Sequence, residues 1–267
     1  MSVTASLASA ALAYTLLALG LVLMKKGVGW IGHKGPKDGA FRKDLAVWLA
    51  GFLLSNLYIV PSAAALKALS PHIVASFAGW GVVVMVGLAA LALGERLFVS
   101  DLAFTALVAA AIVFLSIYES GGEGELLRSG PFAAAALLPF VVLALAALRA
   151  ASPGLKASLF AAVSGASAGM IVVTMKVLVR LYGFRVVDYF ASPYFYLYLA
   201  FSLAGFLTLQ LAYKRAGLMR VGPVQYSVSI AYPVLGSLVV FGARLHPVQW
   251  AALACLLLAV AGILRKR

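Results

Sequence analysis

The sequence predicts an all-α polytopic membrane protein with about nine transmembrane helices, arranged as two inverted four-helix repeats joined by a linker helix. Three observations indicate this fold. Of the 267 residues, 64% are hydrophobic and only 11% are charged, with a mean hydropathy of +1.05, whereas a soluble domain carries about 25% charged residues. The apolar residues form long runs separated by basic loops, and the two halves of the chain resemble each other.

Nine apolar segments have, or nearly have, the length of about 20 residues that a spanning helix needs. Each must be helical, because lipid offers the backbone no hydrogen-bond partner. The first segment has no Lys or Arg ahead of it, so we expect a retained helix and not a cleaved signal peptide. The predicted spans are 3–24, 45–66, 71–93, 102–118, 131–149, 157–179, 194–213, 221–241 and 247–264.

The basic residues predict the orientation in the membrane. The net charge of +13 is spread over the loops and forms no groove with interleaved aromatics, so we expect no nucleic-acid partner. Placing the basic first loop, residues 25–44, in the cytoplasm puts the N-terminus outside and the C-terminus in the cytoplasm. That choice leaves 15 of the 21 Lys and Arg inside, as the positive-inside rule requires. We therefore expect a multi-pass protein of the cell membrane, with the lipid bilayer as a partner.

Short matches between the halves predict an internal repeat at offsets of 147, 148 and 151 residues. Their order predicts a first repeat over residues 1–118, a linker with helix 5 over 119–156, and a second repeat over 157–267. Because the linker crosses the membrane once, the repeats are inverted, and such transporters bind substrate near the midplane. The matches are Ala65-Leu66-Lys67 with Ala212-Tyr213-Lys214, Gly94-Glu95-Arg96-Leu97 with Gly242-Ala243-Arg244-Leu245, and Met24-Lys25 with Met175-Lys176.

Several of these segments also resemble a known family. Residues 92–97, Ala-Leu-Gly-Glu-Arg-Leu, resemble the Gly-Glu signature of EamA-type domains in the drug/metabolite transporter superfamily, and residues 56–71 resemble the preceding helix. Residues 23–27, Leu-Met-Lys-Lys-Gly, resemble the end of helix 1 in the nine-helical, NIPA-like magnesium transporter branch. The resemblance covers nearly the whole chain, although Ala243 replaces the acid of the signature in the second half. It implies transport of a small metabolite, a drug-like molecule or a cation by alternating access.

Polar and aromatic side chains within the predicted helices predict a cavity between the halves. Unpaired polar groups that face hydrocarbon cost several kcal/mol each, so they should turn inward. For each residue taken singly, hydrogen bonding between packed helices is the better interpretation. As a set they predict a substrate pathway, and the expected lining residues are Tyr14, Asn56, Trp80, Ser167, Lys176, Gln210, Gln225, Ser229 and Tyr232.

Lys176 is the most deeply placed cation, near the outer end of helix 6. Two interpretations are open for it: its side chain snorkels to the interface, or it supplies an anion-binding or gating charge. Gly165 and Gly169 lie on the same helical stripe and permit the close approach of another helix.

Acidic residues are absent from the deep part of every predicted helix. Glu95 is expected to have a structural or gate role at a cytoplasmic turn, and Pro61 and Pro233 to interrupt helix hydrogen bonds and shape the cavity. A proton-coupled cation exporter relies on an intramembrane carboxylate, and Mg²⁺ prefers oxygen ligands that include carboxylates. Transport of magnesium or another divalent cation therefore stays an alternative that the resemblance implies, with no metal ligands assigned.

The sequence contains no P-loop and none of the common catalytic signatures, so we expect no enzymatic activity and no cofactor. An intramembrane enzyme or a lipid-handling membrane subunit is the alternative from another class. The function we expect is that of a secondary transporter or facilitator for a small molecule or an ion. The substrate, the coupling ion and the choice between monomer and homodimer stay open.

Overall fold

The computed structural model describes residues 3–27, 39–93, 99–117, 140–143, 145–213, 215, 218–242 and 244–265. Over these residues the chain is all-helical and holds no strand, which confirms the predicted fold class in its coarse form. The helices are α1 (Val3–Gly27), α2 (Gly39–Leu57), α3 (Ile59–Leu66), α4 (Pro71–Leu93), α5 (Val99–Ile117), α6 (described at 140–143 and 145–149), α7 (Pro153–Tyr182), α8 (Val186–Tyr189), α9 (Pro193–Tyr213), α10 (Leu218–Val240) and α11 (Pro247–Arg265).

Several of these helices have the composition of membrane spans. Four described stretches are long and apolar enough to cross a bilayer, namely Val3–Met24, Gly39–Leu66, Pro153–Tyr182 and Pro193–Ala212. Shorter apolar helices cover Pro71–Met85, Ala106–Leu115, Phe140–Arg149 and Pro247–Ala259. Every one of these stretches overlaps a segment predicted to span the membrane, so the described helices have the length and composition of helices in a membrane protein.

The starts of four helices follow from local sequence, because proline suits the first helical position, where its missing N–H is not needed. At α7 the cap is complete: the Ser152 hydroxyl accepts a hydrogen bond of 3.2 Å from the Leu155 amide. The same helix ends at Gly183, whose φ of 62° few other residues adopt readily. These caps make α7 longer than the predicted span of 157–179. The four helix-starting prolines are Pro71, Pro153, Pro193 and Pro247.

The second predicted span is interrupted. Its helical assignment stops at Leu57, continues as a turn at Tyr58, and resumes at Ile59. Pro61 explains the interruption, because a proline has no N–H to donate to the carbonyl four residues earlier, here that of Leu57. Helical bonding restarts at once, since the Ser62 amide donates to the Tyr58 carbonyl at 3.0 Å.

The position of each helix in the bundle follows from its burial. In the most apolar 18-residue stretch of α7, 89% of the residues are buried inside the protein, whereas the share in the corresponding stretch of α9 is 11%. Helix α7 is therefore central and α9 peripheral. Close contact between α7 and α10 depends on glycine: a β-carbon added at Gly165 would overlap the Gln225 carbonyl oxygen, and one added at Gly169 would lie 2.7 Å from Cδ of Pro233. The predicted close-packing role of Gly165 and Gly169 is confirmed.

Helices α1 and α2 pack backbone to backbone in the same way. A β-carbon at Gly20 would lie 2.5 Å from the Ser55 amide nitrogen, and one at Gly27 would lie 2.5 Å from the Trp48 amide nitrogen. Because the later residue of α1 meets the earlier residue of α2, the two helices are antiparallel.

The helices fall into two packed groups. In the first, α1 contacts α2, α3 and α4, and α4 contacts α5; in the second, α7 contacts α9 and α10, and α10 contacts α11. The groups meet where α4 packs against α10 and α5 against α11, and α7 also touches α3 and α4. The largest hydrophobic cluster among the described residues spans both groups.

Candidate functional site

Burial changes along α4 from one end to the other. Residues 71–79 are all buried, whereas Trp80, residues 83–85 and residues 87–88 are partly exposed. Successive helical residues point about 100° apart, so a continuous run of buried residues covers every direction around the helix. Helix α4 is therefore enclosed on all sides near its N-terminus and is less enclosed further along.

Helix α10 changes in the same way. Residues 224–228 are partly exposed, while 229–230 and 232–234 are buried. The Tyr226 hydroxyl donates to Sδ of Met85 at 3.9 Å, so the partly exposed stretches of α10 and α4 lie at the same level. We call this level the open end of the bundle and the level of residues 71–79 the closed end. We infer from this change of burial a cleft between the two helix groups that is wider at the open end than at the closed end.

Aromatic and hydroxyl groups meet where the cleft narrows. Nε1 of Trp80 donates to the Thr15 hydroxyl at 3.1 Å, which links α4 to α1. The ring of Tyr14 lies 6.5 Å from that of Tyr58 at the interruption between α2 and α3. Tyr198 of α9 packs against the same hydrophobic cluster as Tyr58. The floor of the cleft is thus built by side chains from both helix groups.

The closed end is sealed by contacts between the two groups. Lys176, on α7, is 5% exposed, and its Nζ donates to the Leu69 carbonyl oxygen in the α3–α4 turn at 2.8 Å. Nζ of Lys67 lies 3.8 Å from the centre of the Phe184 ring, so a cation of the first group also contacts the second. Around these contacts lie the apolar side chains of Leu66, Leu69, Ile73, Val172, Met175 and Val179.

The polar stripe expected to face the cleft from α10 faces α7 instead. Gly165 lies against Gln225 and Ser229, and Gly169 against Tyr232. Tyr232 packs in a cluster with Met170 and Phe201, away from the cleft, and is hydrogen-bonded to the backbone of Phe140. This face of α10 therefore lies within the second helix group, because the glycines of α7 allow the two helices to pack closely.

Three other expected pathway residues also lie outside the cleft. The Asn56 amide donates to the Phe52 carbonyl of its own helix at 2.8 Å, on the same exposed face as Leu53 and Val60. Gln210 is exposed on the peripheral helix α9. Ser167 is fully buried, with its hydroxyl donating to the Val163 carbonyl at 2.8 Å. For Asn56 the reason is that its own helix satisfies the amide, so its side chain need not turn inward.

The two prolines and the acidic residue expected to shape or gate the cavity have different outcomes. Pro61 interrupts the helix next to Tyr58, beside the cleft floor. Pro233 does not end α10, which continues from Leu218 to Val240, and its ring packs on Gly169. Glu95 lies outside the described residues, as do residues 94–98 with which it would form a turn.

Sequence reasoning missed the face of α10 that does reach the cleft. Tyr226, Ile230 and Val234 recur every four residues and join the cluster shared by both groups. The helical spacing was visible, but two of the three side chains are apolar, and we had searched for polar stripes. Thr15 was missed although it is polar. A lone hydroxyl on an apolar helix usually bonds to its own backbone, as Thr15 also does to Ala11, and so gives no sign of a partner on another helix.

The charges of the described region lie near helix ends, with Lys176 as the exception. Asp44, Asp101 and Asp188 are each within a few residues of the start of a helix or inside the short α8. Within the part of the chain that the structure describes, no group of three or more His, Cys, Asp or Glu could hold a metal ion. The described residues of the cleft therefore offer hydroxyl, indole and aromatic groups, with the ammonium groups of Lys176 and Lys67 at its closed end.

Comparison with known proteins adds no relative to this description. No protein-family model, no curated protein and no solved structure matches the chain. The chemistry of the site is therefore argued from its own residues.

Proposed function

We propose that this chain is a secondary transporter or facilitator, which moves a small solute across the membrane by alternating access between two inverted repeats. The observation that carries the proposal is the change of burial along α4 and α10, from partly exposed at one level to fully enclosed at the other. A cleft that is open at one end and sealed at the other is the geometry of one state of an alternating-access cycle.

The pairing of helices supports inverted repeats of the kind found in the drug/metabolite transporter superfamily. Contacts of α1 with α2, α1 with α4, and α4 with α5 correspond to those of α7 with α9, α7 with α10, and α10 with α11. The contacts between groups, α4 with α10 and α5 with α11, each join a helix to its own counterpart. A two-fold axis between the repeats exchanges each helix with its counterpart. Contacts that lie on the axis must therefore join a helix to its own counterpart.

The sequence-predicted orientation makes the described form open to the cytoplasm. The first loop, rich in Lys and Arg, adjoins the end of α1 at Gly27, which lies beside Trp48 near the start of α2. The sealed α3–α4 turn lies at the far end of α2 and α3. The proposal therefore identifies the open end with the cytoplasmic side and the Lys176 contact with an outer gate.

The substrate fits the chemistry of the cleft floor. Tyr14, Thr15 and Trp80 at the floor and Tyr226 at the open end carry hydroxyl and indole groups and no carboxylate, so a small organic solute suits the cleft better than a bare divalent cation. The described residues of the cleft show no feature that favours the divalent-cation alternative or an intramembrane enzyme.

Cysteine accessibility tests the proposal in a Cys255→Ser background, since Cys255 is exposed. The chain offers two matched pairs: Val83→Cys against Val74→Cys on α4, and Val224→Cys against Val234→Cys on α10. In inside-out vesicles a membrane-impermeant maleimide should label positions 83 and 224 and spare 74 and 234. Equal labelling within both pairs, or labelling of 83 and 224 only from the outer side, would refute the cleft or its orientation.

Flux in proteoliposomes tests the activity itself. A thermal-shift screen with amino acids, nucleosides, organic acids and divalent cations selects candidates, and uptake of each is then measured. Uptake should saturate, and Trp80→Ala should reduce it while Asn56→Ala, on the exposed face, leaves it unchanged. Ser2→Cys and Lys266→Cys, labelled from opposite sides, complete the test of topology; labelling from one side means that the span number is wrong.

A further inference from the structure

Three polar features converge at the closed end, at the start of α4. His72, in the first turn of that helix, is 6% exposed, and its Nε2 lies 3.4 Å from the Ser70 hydroxyl oxygen. Lys176, 5% exposed, reaches the same turn from α7 through its hydrogen bond to Leu69 and interacts electrostatically with His72. An imidazole, an ammonium group and a helix N-terminus thus share one largely apolar region.

The start of α4 is itself favourable to negative charge. A helix N-terminus carries about half a positive elementary charge and presents backbone amides with no partner inside the helix. Helix α4 runs from Pro71 to Leu93, so it is long enough to develop this dipole. The ammonium of Lys176 adds a full positive charge at the same end.

His72 supplies the observation that points to a ligand. Its Nδ1 is buried and has no hydrogen-bond partner among the residues that the structure describes, although buried polar atoms in proteins are nearly always paired. When the Ser70 hydroxyl donates to Nε2, Nδ1 carries the ring proton and becomes a donor. The region then holds one donor, the imidazole N–H, without an acceptor, and its position next to a cation and a positive helix end favours an anion as that acceptor.

We propose that the start of α4, His72 and Lys176 form a binding site for one small monovalent anion, either a halide or a carboxylate group of a small solute. The site goes beyond the proposed transport, because it needs only equilibrium binding. If the anion is the carboxylate of a transported solute, the inference rests on the proposed function and names small organic acids as its substrate class.

The test uses the full chain, purified in detergent, and measures thermal unfolding against a methanesulfonate reference at equal ionic strength. Chloride, bromide and acetate are titrated separately. A ligand that binds only the folded state raises Tm in a saturable way. We expect such saturation with at least one of these anions, and its absence with all three overturns the site. Saturation with both halides identifies a halide site, whereas saturation with acetate alone identifies a carboxylate site.

Variants assign the binding to these residues. Lys176→Gln should abolish the saturable shift, and Lys176→Arg should retain it. His72→Phe should weaken the apparent affinity about tenfold, the factor for one lost hydrogen bond to an anion. Lys67→Gln is the matched control, because this lysine of the same turn contacts Phe184 instead. This variant should leave the saturable anion-dependent shift in Tm unchanged. An equal loss in Lys67→Gln would mean that general surface charge causes the effect, and the site would be wrong.

A second measurement covers variants that fold poorly. Line broadening of chloride or acetate in NMR reports binding directly to whatever folded protein remains, and broadening should disappear in Lys176→Gln. Broadening that persists unchanged in this variant overturns the site. Neither assay involves flux, so anion binding without transport refutes only the proposed function, and transport without anion binding refutes only this site.

Discussion

Replacing Gly165 by alanine should destabilise the protein, although alanine is the better helix former. The added β-carbon would overlap the Gln225 carbonyl oxygen and lie 2.9 Å from Cβ of Val228 and 3.1 Å from the Ser229 amide nitrogen. These atoms belong to backbone or sit next to it, so no side-chain rotation can relieve the overlap. Helices α7 and α10 must move apart instead.

The magnitude follows from two opposing terms. Overpacking of a rigid contact costs about 1–3 kcal/mol, and alanine returns up to about 1 kcal/mol of helix propensity. Because the contact is with rigid backbone, the overpacking cost lies in the upper half of its range. The net loss in the free energy of unfolding is then about 1–2 kcal/mol. For a chain of this size that corresponds to a fall in Tm of roughly 2–8 °C.

A matched control separates the two terms. Gly87 also lies inside a helix, but a β-carbon there would meet nothing within 4 Å. Gly87→Ala should therefore gain about 0.5–1 kcal/mol and raise Tm. Both variants are measured by thermal unfolding in the same detergent. If Gly165→Ala is as stable as Gly87→Ala, the close contact between α7 and α10 does not exist and the argument fails.

Three further predictions concern individual polar side chains. In a double-mutant cycle, Trp80→Phe and Thr15→Val should show a coupling of about 0.6–1.7 kcal/mol for their bond across helices; additive effects would contradict it. Ser164→Ala breaks a 2.9 Å bond from α7 to α9, whereas Ser167→Ala breaks one within α7. The first variant should therefore lower the free energy of unfolding more than the second, by about 1 kcal/mol. The reverse order would refute the pairing of Ser164 with α9. Burial raises the pKa of Tyr189, in the short α8 between two spans, above 10.0. Its neutral form therefore stabilises the fold fully below about pH 10, and this contribution is lost as pH rises through the raised pKa. Tyr189→Phe should flatten the decline of Tm above that pH, and an unchanged pH profile would count against this role.

Helix positions could be predicted because they depend on local chemistry. Proline at a first helical position and long apolar runs act within a few residues, so each predicted span overlaps a described helix, although α2 begins at Gly39 and α7 runs over Pro153–Tyr182, outside the predicted bounds. The interruption at Tyr58 follows from the same rule, because Pro61 removes one backbone donor whatever the tertiary structure is. We had predicted that Pro61 breaks hydrogen bonds, and the described break agrees.

The face of α10 could not be predicted by polarity. Gln225 and Ser229 had suggested a cavity lining, yet they pack against Gly165, while Tyr226 faces the other helix group. In a membrane both faces of a helix can be apolar or weakly polar, since lipid and protein interior are equally hydrophobic. Which face of the helix packs inward then depends on how well the sizes of its side chains fit the partner helix.

The sequence by itself determined that the chain is all-helical with apolar helices that fit a membrane protein, along which segments those helices lie, and that Gly165 and Gly169 allow helices to touch. These properties depend on hydropathy and backbone chemistry, which act locally. Only the tertiary structure decided that Trp80 meets Thr15, that Asn56 faces outward, and that Lys176 crosses to the Leu69 carbonyl. Those pairings join residues far apart in the chain, and among many similar apolar helices only the geometry of packing selects them.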